Sequence, residues 1–190
     1  MNDPAAMDLT GALLVAMPGM KDLRFDRSVI YICAYSEEGA MGLIVNKPAT
    51  DVTLGALMEH LDIEASEDTC QKQVHVGGPV ETTRGFVLHG PDYTSKLKTL
   101  QVDEAFGMTA TLDVLEDIAM GQGPRDPLVL LGYAGWAAGQ LEAEIAQNGW
   151  LTVEANPALV FDKDDAGKWA AAVASLGIDP LGLSGTAGRA

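Results

Sequence analysis

LLGYAGWAAGQLEAEIAQNGW, residues 130–150, is the densest pattern in this chain of 190 residues. The apolar run from Pro127 to Tyr133 predicts a strand, and glycines at 132, 135 and 139 punctuate its end and the residues beyond it. From Ala137 to Asn148 the spacing predicts a helix, with Ala138, Leu141 and Ile145 on one stripe. Gln140 and Glu144 stand one turn apart on another face, and Trp150 to Glu154 reads as a further strand. A strand that feeds a helix is a common holder of phosphates and nucleophiles, so the identity of the corner residues matters. The spacing here is Gly132-x-x-Gly135-x-x-x-Gly139, with Ala134 rather than serine between the first two glycines. It matches neither the dinucleotide fingerprint, nor the nucleophile elbow, nor a Walker motif. Two readings stay open. Free N–H groups near Trp136 and Ala137 could start the helix and hold a carboxylate or phosphate. Alternatively, the glycines let Tyr133 and Trp136 pack closely against the sheet.

Working outward, SVIYICAY (Ser28 to Tyr35), the turn SEEG and the run Ala40 to Asn46 predict a β-hairpin that Pro48 stops. Leu54, Leu57, Met58 and Leu61 fall at helical spacing behind Asp51 or Thr53 as N-cap, and Glu64 to Gln73 reads as a polar loop. Val74 to Val76 is a short strand broken by Gly77-Gly78-Pro79, and Gly85 to His89 is another. Thr99 to Val102 and Phe106 to Thr111 are further strand candidates. Leu112 to Met120 predicts a helix capped by Thr111 and ended by Gly121. Asp165 to Leu176 predicts a last helix, with Trp169, Val173 and Leu176 on one face and a stop at Gly177-Ile178. Strands and helices mix without regular βαβα alternation, so the expected class is α+β, as a single domain over residues 1–190. Residues 1–8 and 181–190 are expected to be loosely held.

Composition narrows the function classes. Hydrophobic residues make up 47% and charged residues 21%, which excludes wholesale disorder. The net charge is −15, and neither half is basic: 8 Lys and Arg face 14 Asp and Glu up to residue 100, and 4 face 13 beyond it. Nucleic-acid affinity comes largely from cations that neutralise phosphates, so direct DNA binding is not expected. The apolar stretch Leu9 to Pro18 is too short to span a bilayer and follows Asp3 and Asp8 rather than basic residues, so a cytoplasmic location without membrane contact is expected. Cys33 and Cys70 form no CxxC, and His60, His75 and His89 form no HExxH, so no metal and no cofactor is predicted. Cys33 reads as a buried, inert thiol. Lys21, Arg24 and Arg27 form the only basic cluster and read as a solvated loop.

Four quoted pieces in order carry a likeness: LTGALLVAMPGM, FDRSVIYIC with GAMGLIVNKP, VGGPVETTRGFVLH, and GYAGWAAGQLEAEIAQNGWL. They resemble the YqgE/AlgH family from about Leu9 to the final LSGTAGRA. The resemblance implies an α+β fold built on a curved, partly barrel-like mixed sheet with helices packed around it. It implies no agreed biochemical activity, although some members are labelled regulators of transcription. Two positions depart from the family pattern: Tyr35 stands where a histidine is usual two residues after the cysteine, and Arg189 where a histidine is usual before the last alanine.

The polar and glycine-flanked element ends define the candidate site. Asn46, Lys47, Arg84, His89, Tyr133, Trp136, Gln140 and Glu144 are expected to line one cleft, with no catalytic residue assigned. Each has a structural reading beside it: Arg84 in an ion pair with one of the many acids, Glu144 on a solvated helix face. The function expected is that of a cytosolic binding protein recognising a small anionic ligand or a protein partner. The alternative is a regulator of transcription acting through a protein partner. A hydrolase using Glu144 or His89 as base comes last, because no nucleophile or metal motif supports it.

Overall fold

In the computed structural model, which describes residues 7–183, the predicted hairpin is formed by β2 (Val29–Ser36) and β3 (Gly39–Ile44) around the turn Glu37-Glu38. Before it lies β1 (Ala12–Ala16), and after it β4 (Pro48–Thr53), α1 (Leu54–His60), α2 (Glu67–Cys70), β5 (Gln73–Val76) and β6 (Val80–His89). The remainder is β7 (Leu100–Gln101), β8 (Gly107–Thr109), α3 (Asp113–Ala119), β9 (Leu128–Ala137), α4 (Gln140–Ala146), β10 (Trp150–Glu154) and α5 (Asp165–Ser175).

The sheet runs β10-β1-β2-β3-β9-β6-β8-β7, with β5 parallel to β9 and β4 on the outer side of β5. All other pairs are antiparallel. The ten-residue β9 is the axis of this order: Val129 to Leu131 lie between β5 and β6, while Ala134 to Ala137 pair with β3. Passing from one set of neighbours to the other within one strand curls the sheet into a half-barrel with helices around it, the α+β architecture that the resemblance implies.

Alternate residues of β1 and of the hairpin face two different cores. Leu13, Val15, Val29, Tyr31 and Leu43 point into the curl, against Trp169 and Val173 of α5. Leu14, Ile30, Ile32 and Ile44 point the other way, against Trp136, Leu141 and Trp150. Burial on both faces explains why SVIYICAY is a continuous apolar run rather than an alternating one. A third cluster packs Leu54 and Met58 of α1 and Val114 and Ile118 of α3 on Val74, Val87 and Val129. Burying a side chain of this size contributes roughly 1.5–3 kcal/mol.

Several elements differ from expectation, each for a local reason. The polar stretch Glu64 to Gln73 contains the helical turn α2, because the Ser66 side chain caps it by accepting from the Thr69 N–H. Pro48 opens β4 instead of ending the extended chain, as the first residue of an edge strand, where no ladder N–H is needed. β1 carries three consecutive fully buried residues, Leu13, Leu14 and Val15, so it has no polar alternation to mark it. β6 begins at Val80, five residues before Gly85, through an irregularity between Val80 and Gly85 where Glu81 takes φ +46. The strand candidates after it shrink to β7 and β8. Thr111 does not cap α3: its hydroxyl donates to Asp113, and Leu112 is the N-cap with no side-chain bond. Leu176 lies beyond α5 and is exposed, unlike Trp169 and Val173.

β9 continues to Ala137, so the helix expected from Ala137 starts only at Gln140. Of the segments expected to be loose, Asp8 accepts a hydrogen bond from the Thr10 N–H, and Pro180–Gly182 form a 3-10 turn. Residues 1–6 and 184–190 lie outside the described residues. No helix among the described residues is long and apolar enough to cross a membrane.

Candidate functional site

The site begins where two chain segments cross. The connection Gly77-Gly78-Pro79 passes over β9 so closely that a Cβ on Gly78 would lie 2.0 Å from the Tyr133 carbonyl carbon. A Cβ on Gly132 would lie 2.4 Å from the Gly78 oxygen, and Gly132 itself takes φ +75. Only glycine fits either position. The packing reading of the glycines therefore holds at Gly132, although it is the Gly78 backbone that approaches. Trp136 and Ala137 are strand residues paired with Ala40 and Gly39, so they open no helix, and the anion-holding helix start is not formed.

Past the crossing, β6 leaves β9 at the Val80–Tyr133 pair, and a cleft of about 580 Å³ opens. Its walls are the loop Met17 to Phe25, Pro79-Val80, Gly135-Trp136, and α4 with the turn after it. Trp136 and Trp150 meet edge to face at 6.1 Å, and Phe25 meets Trp150 the same way at 5.8 Å. Glu144 fastens this arrangement. Its Oε2 accepts from the indole N–H of Trp136 (2.9 Å) and of Trp150 (2.8 Å), and its Oε1 accepts from the Gln140 amide (3.0 Å). The Gln140 oxygen in turn accepts from the Ala137 N–H at 3.0 Å. Glu144 is thus neither a free base nor a solvated surface acid, but a clamp between α4, β9 and β10. On the opposite wall Arg24 donates from Nε (2.9 Å) and Nη2 (2.7 Å) to Asp22, which lowers the Asp22 pKa through those bonds. Lys21 also lines the cleft and is exposed.

The structure brings together Trp136, Gln140 and Glu144 of the predicted set and separates the rest. Asn46 is buried and structural: its side-chain oxygen accepts from the Val29 N–H and its amide donates to the Arg27 carbonyl, both at 2.9 Å. Lys47 donates to the Asp26 carbonyl and borders a second cavity of about 340 Å³, beside Trp169 and Asp165, where Arg27 stacks on Trp169 at 5.1 Å. Arg84 is exposed, 3.5 Å from Glu81 and 5.2 Å above the Phe86 ring, which is the ion-pair reading. Tyr133 packs edge to face on Phe86 at 5.9 Å, against the other core.

His89 is fully buried. Its Nδ1–H donates to the Gly90 carbonyl and its Nε2 accepts from the Thr109 hydroxyl, each at 2.8 Å. Burial pushes its pKa down, so the ring is a neutral structural group. Cys33 lies in the core, its thiol pushed up to about 12 by burial.

Sequence reasoning missed Phe25, Trp150 and the Met17 to Arg24 loop. The loop's interrupted charges were its only signal, and they read equally well as solvation. It also missed a part-buried cluster: Asp165 accepts from His75 Nε2 (2.9 Å) and Lys168 Nζ (3.0 Å), and Lys168 also donates to the Val45 carbonyl (2.8 Å). Burial lowers the His75 pKa against the opposing pull of Asp165, and its Nδ1 has no partner among the described residues.

Known proteins share this architecture. A family model described as AlgH-like matches residues 13–181. A UPF0301 protein of Ruegeria pomeroyi is 58% identical over 185 residues, covering 97% of this chain and 100% of that relative. One of Cereibacter sphaeroides is 55% identical over 184 residues, with coverage of 97% and 100%. The solution structure of the AlgH protein from Pseudomonas aeruginosa is similar with a TM-score of 0.80 at 41% identity, over 100% of both chains. A Corynebacterium diphtheriae protein shares the fold alone, with a TM-score of 0.70 at 21% identity over 96% of this chain and 91% of that one. With four sequence motifs, the curled sheet and relatives matched from end to end all in accord, the chain belongs to the AlgH-like family.

Proposed function

We propose that this is a binding protein whose ligand enters the cleft between the Met17 to Phe25 loop and α4, and that the ligand is a segment of a protein partner. The observation that supports this reading is the state of the cleft's charged groups. Glu144 is held by three donors and Arg24 is paired with Asp22, which leaves aromatic edges, amides and Lys21 as the recognition chemistry. That is the chemistry of a peptide contact surface. A small anion needs converging cations, and the expected ones are dispersed: Lys47 borders another cavity and Arg84 is beside Glu81. A role in regulating transcription fits this reading only through such a partner, because a net charge of −15 opposes docking on a duplex.

The test is a thermal-shift screen of peptide pools, nucleotides, sugar phosphates and carboxylic acids, with a Gln147→Trp variant alongside. Gln147 is exposed and lines the cleft, so tryptophan there fills it without disturbing a core. A ligand at about a hundred times its dissociation constant adds roughly 2.7 kcal/mol, which raises the midpoint by about 5–11 °C in a chain of this size. Peptides are expected to raise the midpoint of the wild type and not of the variant. Shifts given only by small anions, or shifts that survive Gln147→Trp, would contradict the reading.

A further inference from the structure

We propose that the cleft takes its ligand as an added β-strand: an extended segment of a partner protein, apolar at its centre and basic at its flanks, laid on the free edge of β9 at Gly135. This mode rests on the binding reading above. Its basis is hydrogen-bond parity. In an antiparallel sheet, successive residues of a strand direct their backbone groups alternately to the two sides. The Ala137 N–H, opposite Gly39 in the register with β3, donates to the Gln140 side-chain oxygen. Ala137, and Gly135 two residues earlier, therefore face away from β3. Counting along β3 gives the same answer: the Ile44 N–H donates to the Gly77 carbonyl on the β9 side, so Gly42 and Ala40 face β9 and meet Ala134 and Trp136, not Gly135 and Ala137.

Beyond Tyr133 no described strand takes the place of β6. Among the described residues, no strand pairs with Ala134 to Ala137 opposite β3. Gly135 is exposed there, with only the Tyr133 ring, at 3.5 Å, near where a Cβ would sit. Gly135 lines the cleft, and by this parity its N–H and C=O are directed away from β3. Such an unpaired edge is a template for strand addition unless it is covered. The Gln140 oxygen already plays the part of an incoming carbonyl one place further on, at Ala137.

The walls set the remaining chemistry. Alternate side chains of an added strand point to the face carrying Trp136, and there meet Trp150, Phe25, Met17 and Met20, which suits apolar residues. The whole chain carries −15, so its field favours approach of a segment with basic flanks and repels an acidic one.

The experiment begins by selecting random dodecapeptides displayed on phage against the wild-type chain and keeping those that Gln147→Trp fails to bind. The best peptide is synthesised with single N-methyl groups along its backbone. The expected result is loss of binding at positions two residues apart and little loss between them. On the protein, exchange of the Gly135 amide slows at least about tenfold when the peptide binds. Gly135→Pro removes that donor and fills its place. Because the N–H faces away from β3, this variant keeps its fold and binds at least about tenfold more weakly, the worth of one lost hydrogen bond at the upper end of its range. Binding falls as salt is raised.

A flat N-methyl scan, unchanged exchange at Gly135, or full binding by Gly135→Pro overturns the strand mode and leaves the cleft reading standing. Selected peptides that are acidic overturn the charge assignment. A selection that yields no peptide sensitive to Gln147→Trp sinks the strand mode and the cleft reading together. The N-methyl scan needs no variant, so it decides the matter even if Gly135→Pro does not fold.

Discussion

Removing the Glu144 carboxylate tests the construction of the cleft directly. In Glu144→Ala, the indole N–H groups of Trp136 and Trp150 lose the acceptor they share at 2.9 and 2.8 Å, and Gln140 loses its bond at 3.0 Å. An unsatisfied buried donor costs about 1–3 kcal/mol. These contacts are part-buried and water can reach the cleft, so about 1 kcal/mol for each indole is the appropriate end of that range. With the loss of the tie from α4 to β9 and β10, the sum is about 2–3 kcal/mol, a sizeable fraction of a usual stability of about 5–15 kcal/mol. Glu144→Gln keeps one carbonyl oxygen with two lone pairs, enough for both indoles, and loses only the contact to Gln140. Its cost is about 1 kcal/mol. Urea titration followed by tryptophan fluorescence measures both, and the thermal midpoint of the alanine variant falls by about 4–12 °C. The alanine variant's native emission also shifts, because two of the three tryptophans lose their shared partner. An alanine variant within about 0.5 kcal/mol of wild type, or one equal to the glutamine variant, would refute the clamp, since surface substitutions fall in that range.

Acid is expected to destabilise the fold from mildly acidic pH downward. Burial lowers the folded-state pKa of His75 and of His89, so their stabilising contribution is complete above the unfolded value of about 6.5 and is lost as pH falls from there toward the lowered folded values. Urea midpoints between pH 7.5 and 5 read this slope, and a His89→Gln variant should show less of it. Cys33, with its thiol pushed up to about 12 and buried, is expected to resist a thiol reagent that reaches the half-buried Cys70, so native protein labels once and unfolded protein twice. Two glycines with φ +75 should behave differently on change to alanine. At Gly132 the new Cβ meets the Gly78 oxygen at 2.4 Å, for a loss above about 3 kcal/mol, whereas Gly139 has nothing within 4 Å and loses only the left-handed preference, about 1–2 kcal/mol. Equal losses in urea would show that the crossing at Gly78 is not tight.

Elements whose cause lies within a few residues were legible in the chain. The hairpin of β2 and β3 follows from two apolar runs around a Glu-Glu-Gly turn, and α1 from a Thr53 cap before four periodic apolar residues. α5 follows from an Asp164 cap and the left-handed Gly177. Where burial is two-sided the period vanishes, which hid β1. Where glycines serve a crossing of segments they read as a stop, which cut β9 short at Tyr133 and started its helix at Ala137 instead of Gln140. Gly132 looks like a strand breaker until Gly78 is seen lying across the strand.

The candidate site divides along the same line. Trp136, Gln140 and Glu144 stand within one strand end and one helix, and their proximity could be read from spacing. Their partners could not. Phe25 and the Met17 loop arrive from a distant part of the chain, and α4 carries the backbone from β9 to β10 across a sheet in which β3, β2 and β1 lie between them. By itself, the sequence determined the class, most of the elements, the acidic surface and the family likeness, because periodicity, turn chemistry and charge are properties of neighbouring residues. Only the tertiary structure decided that Lys47, Arg84 and His89 lie apart, that Glu144 is a clamp, and that among the described residues no strand pairs with Ala134 to Ala137 opposite β3. Those outcomes depend on strand order and on which face each strand buries, and both are settled by contacts between residues far apart in the chain.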